Sequence, residues 1–233
     1  MTALINPFWY GAAGDPNFAS VVLLCHFDGT NGSTTFTDNS LAAHSLAATG
    51  TISLTTAEQK FGTASLQAGT ASSAVTSADS ADWDFGAGQF TVEAWVRPTS
   101  AISGVRGIVA QYGASSLAWF LGFNGAQFGL FVSANGTTVT QIVASYTPTL
   151  NAWLHVAADR DAGGVVRVYA AGAALAAITF ASAIFNSTNS LYIGNDGNLN
   201  RNFVGQIDEV RITKGVARYA GAYTPPTAAF PDA

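Results

Sequence analysis

Apolar and polar positions alternate in short runs along this chain, and Gly, Asn and Asp punctuate the runs. The clearest is FTVEAWVRP, where Phe90, Val92, Ala94 and Val96 alternate with Thr91, Glu93, Trp95 and Arg97. A period of two belongs to a strand, because successive strand side chains point to opposite faces. The same reading predicts strands near 21–27, 51–55, 64–68, 90–97, 106–112, 117–123, 127–133, 137–145, 153–160, 165–171, 174–180, 190–194 and 203–213. In QFGLFVSANGTTVTQIVAS the pair Asn135-Gly136 predicts a type I′ hairpin turn, and Asn124-Gly125 another. GAALAAITFASAI is Ala-rich, but its Thr, Phe and Ile content and the preceding RVYAAG predict a strand pair. Capped helical periodicity, fixed-period repeats and linker-like stretches are all missing. The expectation is one all-β sandwich, residues 21–233, behind an N-terminal arm, residues 1–20.

That arm, MTALINPFWYGAAGDPNFAS, sets Ile5, Phe8, Trp9 and Tyr10 among Pro and Gly. Such a segment suits docking, either over an open edge of its own sheet or on a partner surface. The partner expected is a second copy in a homo-oligomer or an underlying particle protein.

Composition sharpens the all-β reading. Charged residues are 10% of 233 while hydrophobic ones are 48%, with two lysines and three glutamates, which starves a surface helix of its best polar formers. A net charge of −5 leaves no basic patch to neutralise a phosphate backbone, so nucleic acid is not an expected partner. Nowhere do 18 apolar residues run together, so no membrane insertion is expected; the N-terminus has no basic residue before a short apolar run, unlike a secretory signal. The single cysteine, Cys25, cannot form an internal disulfide.

Candidate chemistry gathers in VVLLCHFDGTNGSTTFTDNS. Alternation puts Val21, Leu23, Cys25 and Phe27 on one face and Val22, Leu24, His26 and Asp28 on the other, so Cys25 and His26 diverge and Cys25 reads as a small buried hydrophobe. Asp28 opens a loop rich in oxygen-bearing side chains and glycines. It suits a hard cation such as calcium and suits Asx turns equally well. SADSADWDFGAG sets Asp79, Asp82 and Asp84 close together, but the closing Glu of an EF-hand is absent and the stretch reads as a loop.

LLCHFDGTNGSTTFTDNS, KFGTASLQ, DWDFGAGQFTVEAWVRP, WLHVAADRDAGGVVRVYAAG and LYIGNDGNLNRNFVGQIDEVRITKGVARY, in that order, resemble the LamG-like jelly-roll family of concanavalin A-like lectins and glucanases. The resemblance implies two antiparallel sheets packed face to face in a jelly-roll sandwich. It implies a structural histidine at His155 and a calcium site built from Asp28, Asp38 and Asp208 with backbone carbonyls. Sugar-binding relatives stack pyranose rings on exposed aromatics, which makes Tyr112 and Trp119 candidate glycan platforms against the alternative of core burial. Glucanase relatives carry an E-x-D-x-x-E array on one strand; here Glu93 stands alone, so no catalytic residues and no enzyme activity are expected. The front VVLLCHFDG and the end ITKGVARYAGAYTPPTAAF resemble forms found in tailed-bacteriophage virion proteins. That implies a virion structural protein made in the host cytoplasm, with other virion proteins, itself and cell-surface glycans as partners. The alternative is a free carbohydrate-binding module or a glycan hydrolase.

Overall fold

The structure, a computed structural model, describes residues 14–69, 72–113 and 116–233. Strands β1 (Val21–Cys25), β2 (Ala47–Thr49), β3 (Ser53–Thr55), β4 (Ser65–Ala68) and β5 (Ala74–Ser77) precede a 3₁₀ turn at Ala81–Trp83. Then come β6 (Phe90–Pro98), β7 (Val105–Gly113), β8 (Ser116–Asn124), β9 (Gln127–Ser133) and β10 (Val139–Ser145). The chain continues through β11 (Leu154–Arg160), β12 (Val165–Ala170), β13 (Ala173–Thr179), β14 (Leu191–Ile193) and β15 (Gly205–Lys214). An eight-stranded sheet runs β13-β12-β11-β6-β15-β4-β3, with β1 also on β15; a seven-stranded sheet runs β10-β9-β8-β7-β14-β5-β2. All named strand pairs are antiparallel.

The sheets face each other because their apolar positions alternate. Phe90, Val92, Ala94 and Val96 of β6 meet Trp119, Leu121 and Phe123 of β8 in one core. FTVEAW pairs with the LHVAADR strand, Val96 opposite Leu154 through Phe90 opposite Arg160. Burying each such large side chain stabilises the fold by about 1.5–3 kcal/mol. A bulge between Val21 and Leu23 alters the expected face of one residue: Leu23 and Cys25 enter the main core, whereas Val21 joins Leu24 and Phe230 on the outside.

The outer face of the eight-stranded sheet is polar and buried under the C-terminal segment. Glu93 of β6 meets Arg211 at 2.8 Å, and the Tyr219 hydroxyl donates to it. Burial pushes the Glu93 carboxyl up, but the Arg211 charge and its neighbours His155 and Tyr219 outweigh that and hold it at about 2. His155 Nδ1 shares a 2.7 Å hydrogen bond with the Tyr223 hydroxyl. Asp159 accepts from Tyr169 Oη and from the backbone N–H groups of Tyr219 and Ala220. Further along, His26 sits between Glu209 at 2.8 Å and Asp232 at 2.9 Å. Burial lowers its pKa, but the two carboxylates win and raise it to about 9. Asp15 N–H donates to Ala233 O at 2.6 Å, so the two ends of the described chain meet.

The arm residues Ile5, Phe8, Trp9 and Tyr10 lie outside the described residues.

Candidate functional site

On the seven-stranded sheet, the side chains opposite the core form a second cluster. Ala110 of β7, Phe120 of β8 and Phe131 of β9 pack together, with Tyr112, Val105, Val139 and Val143 against them. The alternation that buries Trp119, Leu121 and Phe123 forces Phe120 outward. Glycines in the neighbouring positions make room: a Cβ on Gly122 would come within 2.7 Å of the Phe120 ring, and one on Gly129 within 2.0 Å of Ile142 O. The rings meet obliquely, Phe120 and Phe131 at 5.4 Å and Tyr112 and Phe120 at 5.7 Å.

This cluster floors a solvent-open concavity of about 160 Å³. Tyr112 supplies aromatic surface over the buried rings of Phe120 and Phe131, while Asn124, Gln141 and Arg201 bring polar groups to the edge. None of the side chains lining it is a carboxylate. The wall carrying Arg201 is the loop between β14 and β15. Gly107 N–H donates to Arg201 O at 2.7 Å and Asn195 Oδ1 accepts from the N–H groups of Asp196 and Arg201, which fixes the loop against β7. Arg201 Nη1 lies 2.8 Å from the buried Asp196 carboxylate, and the guanidinium carbon sits 5.6 Å from the Tyr112 ring centre. Its side chain remains 33% exposed, so the group has a fixed base and an accessible edge.

The structure sorts the predicted site residues. Tyr112 is half-buried in the concavity. Trp119 is not: it faces the core with 0% exposure, its Nε1–H donates to Trp83 O at 3.0 Å, and it cannot offer a ring to a glycan. Its register on β8 puts it one residue from Phe120, so the two rings point to opposite faces of the sheet; Phe120, 2% exposed, lies beneath Tyr112 and Phe131. Phe120, Phe131 and Arg201 were not anticipated; the outward phase of β8 and β9 relative to Trp119 was the available signal.

Asp28, Asp38 and Asp208 are not brought together. Among the described residues no three His, Cys, Asp or Glu side chains converge as a metal site. Each carboxylate instead accepts N–H groups. Asp38 takes Leu24 N–H and Ser40 N–H at 2.9 Å on one oxygen and His44 N–H at 2.8 Å on the other. Asp208 takes Lys60 N–H at 2.7 Å and Phe61 N–H at 3.2 Å, and burial pushes its carboxyl up to about 8. Asp28 accepts from Thr63 N–H and from its hydroxyl at 2.9 Å. Asp28 and Asp208 thus clamp opposite ends of the KFGT turn. Gly62, at φ +63°, lies so close to Asp28 that a Cβ there would stand 2.2 Å from its Oδ1.

Two antiparallel sheets of this order, with an aromatic concavity outside one of them, define a lectin-like jelly-roll sandwich. Residues 67–218 match the family described as the concanavalin A-like lectin/glucanases superfamily, and the chain belongs to it. No curated protein matches the chain. Among solved structures, the binding domain of Paraclostridial Mosquitocidal Protein 1 superposes with a TM-score of 0.67 at 14% identity, over 86% of this chain and 50% of that one. The botulinum neurotoxin serotype C1 binding domain gives 0.66 at 16%, over 86% and 50%. The binding domain of botulinum neurotoxin DC in complex with SialylT gives 0.65 at 15%, over 86% and 49%. At such identities the likeness is one of fold, and the chain spans about half the length of these structures.

Proposed function

We propose that this protein is a non-enzymatic glycan-binding module whose ligand rests on the outer face of the seven-stranded sheet. The observation that carries the reading is the concavity in which Tyr112, Phe120 and Phe131 lie beside Asn124, Gln141 and Arg201. A sugar ring has an apolar C–H face and a rim of hydroxyls, and an aromatic floor with amide and guanidinium groups at its edge matches both. A hydrolase of this superfamily needs two carboxylates flanking the scissile bond. The concavity has none, and Glu93 is buried on the other sheet, ion-paired with Arg211. The similar binding domain of botulinum neurotoxin DC is in complex with SialylT, which agrees with a glycan ligand.

The setting we propose is the surface of a tailed-phage particle, where the protein is a structural component. The support is the resemblance of VVLLCHFDG and ITKGVARYAGAYTPPTAAF to phage virion proteins. Mass spectrometry and electron microscopy of purified particles decide that placement, which fails if the chain is not present in stoichiometric amount.

A glycan array followed by calorimetry tests the site. We expect a bound glycan whose affinity falls about tenfold, equivalent to about 1.4 kcal/mol, in Tyr112→Ala and in Arg201→Gln, with no hydrolysis products. An array with no binder, or affinity indifferent to both substitutions, removes the reading.

A further inference from the structure

Arg201 is the one charged side chain lining the aromatic concavity, and its charge is already matched from behind. Nη1 lies 2.8 Å from Asp196, whose side chain has no exposed surface, while the guanidinium side chain itself is 33% exposed. The pair is built into the loop between β14 and β15. Asp196 accepts from Asn198 N–H at 3.1 Å and from Asn198 Nδ2 at 3.0 Å. Its own N–H donates to Asn195 Oδ1, and Asn195 Nδ2 donates to Ser73 O at 3.0 Å. Gly197 N–H donates to Tyr112 O at 2.7 Å, so the carboxylate is fixed against the strand that carries the aromatic platform. The neighbouring cation, Arg106, is turned towards Asn202 O at 3.3 Å and does not line the concavity.

An arginine presented alone offers a full positive charge and a planar fork of donors, the arrangement that favours carboxylate and sulfate groups. With Asp196 behind it, the same guanidinium offers donors but almost no net charge. On the glycan-binding reading above, we propose that Asp196 is a positioning residue that selects by charge: it neutralises Arg201, so that the concavity takes uncharged glycans and turns away sugars bearing carboxylate or sulfate groups.

An acidic sugar placed on Tyr112 with its carboxylate at the exposed edge of Arg201 is drawn to the guanidinium and repelled by the buried carboxylate beyond it. It also gives up part of its hydration, which is costly for an ion whose new partner is already matched. The chain as a whole, at a net charge of −5, repels it further. A sugar hydroxyl meets none of these penalties, because it accepts from the same N–H groups while losing far less hydration. The remaining polar groups of the lining, the amides of Asn124 and Gln141, carry no charge and serve hydroxyls equally. Specificity is a difference between two affinities, and the repulsive element here is Asp196, a residue that does not itself line the concavity.

The test uses the full chain and a panel of glycoside pairs that differ only in carrying a hexose or the corresponding hexuronic acid, with both affinities measured by calorimetry at low and high salt. The wild type is expected to bind the neutral member about tenfold more tightly than the acidic one. Asp196→Asn keeps the shape of the side chain and an acceptor for Asn198 while removing the charge. It is expected to shift the ratio of the two affinities about tenfold towards the acidic member, a shift that high salt reduces. A merely structural role would weaken both members together and leave their ratio where it was. If Asp196→Asn fails to fold, Gln141→Lys, at an exposed position on the rim, supplies a cation with no carboxylate behind it and is expected to shift the ratio in the same direction. The proposal is overturned if the wild type binds both members equally or prefers the acidic one, or if the ratio is unmoved in Asp196→Asn, or in Gln141→Lys where that variant carries the test. Those outcomes, with binding intact, leave the glycan-binding reading standing; binding of neither member of any pair removes that reading and this proposal together.

Discussion

Glu93 sits on a strand whose alternation tells its face but not its partners. Arg211 reaches it from β15, Tyr219 from the C-terminal segment and His155 from β11, contacts that only the sheet order creates. That no second carboxylate lies at strand spacing from Glu93 was legible; its burial in an ion pair was not. Removing its charge leaves a buried guanidinium with Asp15 alone. Glu93→Gln is therefore expected to cost about 3 kcal/mol, lowering Tm by about 10 °C in calorimetry. Its folded pKa of about 2 lies below the ordinary 4.5, so the stabilisation is present above about pH 4.5 and is lost as pH falls towards 2. Urea midpoints measured from pH 7 to 2 should fall steeply in the wild type and less steeply in Glu93→Gln; parallel curves would show that Glu93 does not govern the acid limb. Asp28 shows the same limit: its oxygen-rich loop was equally compatible with a cation and with an Asx turn, and its carboxylate instead accepts from the N–H and hydroxyl of Thr63, 35 residues away, with Gly62 packed against it.

At the scale of elements, long apolar-alternating strands such as β6, β8 and β11 were legible, as was the Ala-rich β13, and the short small-residue strands β2 and β5 were not. β2 is Ala-Ala-Thr and β5 is Ala-Val-Thr-Ser, with too little contrast between faces to show a period. Turns were placed less well than strands. Asn135-Gly136 lies in a five-residue loop between Ser133 and Val139, where Asn135 Oδ1 accepts from the Thr137 and Thr138 N–H groups. Asn competes for local backbone donors in this way, and an Asn-Gly pair does not by itself fix loop length. The type I′ geometry occurs instead between β12 and β13, where Ala171 at φ 50° and Gly172 at φ 81° separate Ala170 from Ala173. An alanine in the left-handed region is strained by its Cβ, which Asn tolerates better. Ala171→Asn is thus expected to stabilise the protein by about 1 kcal/mol, a Tm increase of about 2–4 °C. A decrease would mean that the turn is not strained as described.

For the whole molecule, the five ordered signatures were enough to reach the sandwich, because each marks a strand of the shared core. What they did not reveal is how the two outer faces differ. One is a polar network closed by residues 215–233; the other is the aromatic concavity. The family match ends at residue 218, yet beyond it Tyr219 and Tyr223 stack at 3.5 Å, Phe230 lies against Arg211, and the Phe230 N–H donates to Glu209. A tail rich in Ala, Pro and Thr carries no periodic pattern, so its place on the sheet was not legible; the tyrosines that fix it act through partners far away in sequence. If the segment is integral, truncation after Arg218 uncovers the buried Glu93, His155 and Asp159 and leaves them short of partners. The truncated protein is expected to lose at least 10 °C in Tm or fail to fold, and Tyr223→Phe, which removes only the bond to His155, to lose about 1 kcal/mol. Because the concavity lies on the other sheet, Tyr223→Phe should leave glycan affinity unchanged while lowering Tm. A truncated chain as stable as the full one would show that the C-terminal segment merely rests on the sheet.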